Sequence, residues 1–400
     1  MKKLTAVLAL SMALTFAFAG CSDSKGTGTG GNAKENQLHN SFIDEIGGVS
    51  ETYKGAISSN SYSTKEAAAE AFVTEELAGD SNVNIINTTS KQEYYGPAAV
   101  QNVITQQKLP IEDTSDIVSI EQMEVTYSVD SGDTYVSPMA MASNSNKKVT
   151  VYVIKYSTHW EYYSPAPTTG STITKSYYDS VFNSDAWKNC TYDMDMNMNM
   201  DVKASGQGQS MTMKMTMTMN QFAQYSEDKV YIEQEYSYTM SGMGENETEN
   251  EYIALYMEEV DGQTVCYVKQ NKNASWELAY SYNFDNIEQF RPFADGYLDY
   301  TYFTKTDYGF ELSGDNAMQF LRETAGGELD SILSQGLNID MFCKYYVANG
   351  VLSGMREDAT MNMNMSESGV SASIKAVIGA EASVKNYGST VVQKPADIVD

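Results

Sequence analysis

From residue 193 to 200 the chain reads DMDMNMNM, and from 211 to 219 it reads MTMKMTMTM, so methionine fills every second position of both stretches. Successive side chains of a strand point to opposite faces. Met194, Met196, Met198 and Met200 therefore share one face of the first strand, and Met211, Met213, Met215, Met217 and Met219 share one face of the second. The linking segment, DVKASGQGQS, offers Gly206 and Gly208 for the positive φ that tight hairpins demand. A two-residue loop at Gly206–Gln207 predicts Met200 opposite Met213, Met198 opposite Met215, Met196 opposite Met217 and Met194 opposite Met219. Any other two-residue loop keeps that parity. The thioethers of both strands then lie on one side, and Asp, Asn, Lys and Thr on the other. A third row, Met361, Met363 and Met365, follows near the end of the chain.

The rest of the pattern predicts two segments. Residues 61–80 read as a helix, with Ser63 and Glu66 as a capping box and Ala68, Phe72, Val73 and Leu77 on one side. A shorter helix is expected over 97–107, then strands over 119–129, 147–157 and 159–165. These form a small α+β domain over residues 60–185, whose element order is similar to cystatin-like or nuclear-transport-factor-like folds. From 187 to 400 strand follows strand: 189–203, 210–221, 228–242, 249–258, 263–270, 274–281, 298–305, 307–313, 338–347, 351–366, 369–379 and 382–393. One helix interrupts them over 315–336, with Ala317, Leu321, Ala325, Leu329 and Leu333 at helical spacing and Gly326–Gly327 as a point of bending. The fold class expected is α+β, mainly β: a small α+β domain followed by a curved antiparallel sheet.

The first residues carry a different signal. Lys2 and Lys3 precede LTAVLALSMALTFAF, and AGC follows. A basic start, an apolar run of this length and small residues before a cleavage site make residues 1–20 a secretory signal rather than a membrane-spanning helix. FAGC resembles the lipobox of bacterial lipoproteins, with Phe18 where that family most often has Leu. The resemblance implies that Cys21 becomes the lipidated N-terminus, anchored to the outer face of the cell membrane through acyl chains worth about 0.8 kcal/mol per buried methylene. Residues 21–36, from the lipidated Cys through SDSKGTGTGGNAKEN, read as a flexible tether.

Charge and cysteine content narrow the function. A formal net charge of −27 argues against nucleic acid and anionic headgroups as partners. The three cysteines after Cys21, namely Cys190, Cys266 and Cys343, are too few for a disulfide scaffold and read as buried thiols. The two histidines, His39 and His159, fall in separate settings, neither a nucleophile elbow, and GTGTGG precedes no βαβ helix. No enzyme, cofactor or metal centre is therefore expected.

The methionines remain. Burial is worth roughly 1.5–3 kcal/mol per such side chain, so something must cover them. Methionine is less suited to strands than Val or Ile, but its flexible, polarizable chain repacks around objects of varying shape. That points to the wall of a cavity for lipid or acyl chains. Two other readings stay open: a sealed core in a structural or interaction protein, and Cu(I) held by soft thioethers. The stretch from about Cys190, the helix in LSGDNAMQFLRETAGGELDSIL and the ending ASVKNYGSTVVQKP resemble the LolA-like group, including LppX- and LprG-type lipoproteins. That resemblance implies a half-open β-barrel with a lid helix over a hydrophobic cavity, and the binding or ferrying of lipids or lipoproteins. The Met-rich inner faces depart from a family that mostly uses branched and aromatic residues there.

Overall fold

Two antiparallel sheets carry most of the chain, which is mainly β with few helices. The structure is a computed structural model describing residues 53–78, 82–130, 146–182, 188–206, 209–242, 245–260, 263–279, 299–325, 329, 333–334, 336–367 and 370–398. The signal segment, Cys21, the tether and His39 lie outside the described residues. The chain divides into one unit made of Thr52–Val181 with Leu298–Asp307, and another that includes Phe182–Tyr297 and Tyr308–Asp400.

The first unit contains β1 (Ala56–Ile57), α1 (Lys65–Phe72), β2 (Asn82–Tyr95), α2 (Pro97–Gln107), β3 (Ile117–Asp130), β4 (Lys147–Tyr156), β5 (Trp160–Ser164) and α3 (Lys175–Val181). Its sheet runs β1-β5-β4-β3-β2. The cap of α1 is Thr64, whose side chain accepts from the Ala67 N–H at 3.1 Å, rather than the expected Ser63. After Phe72 the helix widens into a π-turn over Val73–Leu77. Strand alternation sorts the core into two layers. Val153 and Tyr162 turn toward Ala68, Phe72 and Val73 of the α1 segment. Their neighbours Ile154 and Tyr163 turn toward Val100, Val103 and Ile104 of α2. Polar β2, NVNIINTTSKQEYY, was not expected: it is an edge strand, mostly exposed, broken by bulges after Ile85 and Ser90.

The second unit contains β6 (Cys190–Gly206), β7 (Gln209–Tyr225), β8 (Lys229–Gly242), β9 (Glu245–Val260), β10 (Gln263–Lys269), β11 (Glu277–Leu278), β12 (Gly309–Ser313), α4 (Gly314–Ala325), β13 (Leu337–Ala348), β14 (Val351–Glu367) and β15 (Val370–Lys385). These strands lie side by side in the order β11-β10-β9-β8-β7-β6-β15-β14-β13-β12, each neighbour antiparallel, and among the described residues the sheet does not close on itself. β15 is one strand where two were expected, and residues 386–398 are not strand, so the predicted strand 382–393 ends at Lys385. Tyr387 fixes that exit by donating its hydroxyl to the Leu352 carbonyl. The expected strand over 298–305 becomes a 3-10 turn, Tyr300–Tyr302, followed by a short strand, Thr304–Thr306, and the one over 274–281 shrinks to β11.

Helix α4 packs on β12 and β13 and buries Ala317, Phe320 and Leu321. Asp315 in its first turn and Arg322 in its last complement the helix dipole. The predicted helix over 315–336 is continuous to Ala325. Residues 326–328 lie outside the described residues, and Leu329, again helical, is buried.

Candidate functional site

The register of the Met hairpin is set by Gly206 opposite Gln209. Met196 faces Met219, Met198 faces Met217 and Met200 faces Met215, while Met194 meets Gln221, Val202 meets Met213 and Ala204 meets Met211. The pairing is two residues away from the predicted one, and the parity is as expected. A shift of two moves partners along a strand but never to the other face. The outer face is polar: Thr216 donates to Asn199 at 3.1 Å, Asn199 to Asn197 at 3.1 Å, and Lys214 lies 3.9 Å from Asp201.

The inner face extends well beyond the hairpin. On one flank β15 sets Ala376, Ile378, Ala380 and Ala382 opposite Met200, Met198, Met196 and Met194. β14 then brings Met361 opposite Ala376, Met363 opposite Ile374 and Met365 opposite Ala372. On the other flank β8 adds Tyr236, Tyr238 and Met240, opposite Met219, Met217 and Met215. A strand of alanines and isoleucines thus runs between two methionine rows.

Burial is graded along this face. Met194 and Met196 are 3 % exposed, and Met198, Met200, Met361 and Met363 are 2 % exposed. Met215 and Met219 are also buried, Met213 and Met217 are half-buried, and Met211 at the hairpin tip is 36 % exposed. The side chain of Met365 lies outside the described residues. Two sulfurs act as acceptors, from the Tyr192 hydroxyl to Met194 Sδ at 3.2 Å and from Tyr238 to Met240 at 3.4 Å.

Gln221 and Gln234 pair across this face at 2.8 Å, and a buried acid also interrupts it, which the sequence reading did not single out. Glu357 on β14 is in phase with Met355, Ala359 and Met361, opposite Ala380 and Cys343. It is buried, and burial pushes its carboxyl up to about 8, with neighbouring Asp358 adding to the push. Phase with the methionines was the available signal, masked by the charged run Arg356-Glu357-Asp358. Arg356 is on the other face, held by Asp358 at 2.9 Å and Glu381 at 3.2 Å.

The remaining candidates fall elsewhere. Cys190, Cys266 and Cys343 are buried thiols, and burial pushes the Cys266 thiol up to about 11. His159 stacks on Tyr156 with ring centroids 4.9 Å apart and lies 3.0 Å from Glu161. No group of three His, Cys, Asp or Glu that could hold a metal occurs among the described residues. Met200, Met215 and Met240 do form one cross-strand row of thioethers.

No family model matches the chain, and no curated protein matches it. Among solved structures, the Pseudomonas aeruginosa protein OccK3 (OpdO) is similar at 9 % identity and a TM-score of 0.15, covering 78 % of this chain and 97 % of its own. OccK11 (OpdR) from the same organism is similar at 7 % identity and a TM-score of 0.10, covering 78 % and 98 %. Scores this low fix neither a shared fold nor a shared function.

Proposed function

We propose that the protein is an extracytoplasmic lipoprotein, anchored through Cys21, that holds a hydrophobic ligand against the methionine face of its long sheet. The ligand class is lipid or acyl chains. In this reading the sheet is a LolA-like half-open barrel with α4 as its lid, and the first unit is a cystatin-like or nuclear-transport-factor-like module. The protein binds rather than catalyses.

The observation that carries the proposal is one continuous apolar face, spread over β14, β15, β6, β7 and β8 and built from methionine rather than branched residues. Branched side chains are the ordinary choice for a strand core, whereas thioether chains conform to a guest of variable shape. A second reading has its own support. The central methionines are almost wholly covered, as in a sealed core whose protein works through its surface.

Native mass spectrometry of the protein as purified from cells separates the two. Adducts of heterogeneous lipid mass are expected beyond the anchor on Cys21. A bare protein that takes up no lipid on titration would leave the sealed-core reading standing, and a copper-mass adduct would favour the thioether row. Cys21→Ala should release the protein from membranes, measured by fractionation.

A further inference from the structure

The inner face carries carboxyls on either side of the methionines in a single cross-strand row. Following the register from β13 to β9, the row reads Cys343, Glu357, Ala380, Met196, Met219, Tyr236, Glu251. Glu251 belongs to an exposed series with Glu249 and Glu247, which lie opposite Tyr238 and Met240 on the same face. Alternate residues on a strand are about 6.6–6.8 Å apart, so these carboxylates repel one another, and no salt bridge engages them among the described residues.

Glu357, at the other end, is 5 % exposed. Among the described residues its carboxyl meets neither a hydrogen-bond donor nor a cation. A buried polar group without a partner costs on the order of 1–3 kcal/mol, and a charged one more. The fold does not relieve that cost from within, because Ala380 and Cys343 flank the position and Arg356 points away. A ligand with a donor can relieve it. A fatty-acid carboxylate is the weaker partner: it brings no cation, can share at most the one proton that burial keeps on Glu357, and enters a chain of net charge −27. An ammonium on an acyl-length tail satisfies every term. The methionines take the tail, the glutamates of β9 draw the cation in, and the buried carboxyl becomes its counter-ion.

We infer that the ligand of this face is an amphiphile with an amine head, its tail on the methionine rows and its ammonium paired with Glu357. This rests on the hydrophobic-ligand reading above.

The test is titration calorimetry at pH 7 of the full chain with dodecylamine, dodecanol and dodecanoate, each below its micellar concentration. The amine should bind about tenfold or more tighter than the alcohol, and the alcohol tighter than the acid. Glu357→Gln should lower amine affinity to that of the alcohol and leave alcohol binding in place. Asp195→Asn, exposed on the opposite face of β6, should preserve the ranking.

Equal affinity for amine and alcohol, tightest binding of dodecanoate, or an equal loss in the two variants would overturn the inference while the hydrophobic site survives. Binding of none of the three would overturn both. Should Glu357→Gln fail to fold, the wild-type ranking of the three ligands decides.

Discussion

Two glutamates, one in each unit, are buried to nearly the same degree: Glu76 is 4 % exposed and Glu357 is 5 % exposed. Their surroundings are opposite. Glu76, in the π-turn after α1, accepts from the Ser176 N–H at 2.8 Å, the Ser176 hydroxyl at 2.6 Å, and the hydroxyls of Tyr162 and Ser164 at 3.2 Å. Glu357 stands among methyls and thioethers with no such donor among the described residues. The first is a carboxylate that the fold uses to tie α3 to its sheet. The second is a carboxyl that the fold leaves unanswered. Burial by itself therefore does not tell a structural acid from one reserved for a ligand; the count of donors does.

The largest effect should come from removing the satisfied acid. Glu76→Ala strands the donors of Ser176 and Ser164 in a buried site, while the Tyr162 hydroxyl keeps Glu75 at 2.9 Å, and should cost about 3 kcal/mol, read from chemical denaturation. A loss under about 1 kcal/mol would dissolve the contrast. Glu357→Gln should act through pH. The Glu357 carboxyl, held at about 8 in the fold, binds its proton more tightly there than in the unfolded chain. Its stabilising neutral form is fully present below the ordinary carboxylate range and is lost as pH rises toward 8. The wild type should lose up to about 1.4 kcal/mol per pH unit over that window, and the Gln variant should lack this slope. Identical pH profiles for the two proteins would contradict the burial argument.

The smallest effect should be Met198→Leu, a volume-conserving change on a face that can repack, costing under about 1.5 kcal/mol by thermal denaturation. A larger loss would mean that the methionines are locked in place, as the sealed-core reading holds.

Much of this could be read from the sequence, for identifiable reasons. Strict alternation fixed which residues of β6, β7 and β14 share a face, because any two-residue change in the turn preserves parity. The same property hid the register: the glycines in SGQGQ permit more than one turn, and only the structure places Gly206 opposite Gln209. Strand β2 escaped because an exposed, bulged edge strand has no apolar rhythm. The join of two predicted strands into β15 was hidden by Gly379 and Ala380, which look like a break but sit inside a central strand between β14 and β6. Glu357 was legible only by extending the phase of Met361 and Met363 backwards through a charged run. Glu76 gave no sequence signal, since its partners lie about a hundred residues away along the chain.

The gradient of exposure along β7 has a chemical consequence. Oxidants convert a thioether to a polar, chiral sulfoxide, and they reach exposed sulfur first. Met211 is open to solvent, Met213 and Met217 are half-covered, and Met215 and Met219 are enclosed, so peroxide should attack the tip of the hairpin first and the enclosed methionines last. Each step would exchange an oily contact for a wet one. The hairpin tip would thus be consumed before the enclosed rows, and reductases that reverse the sulfoxide would find their first substrate there.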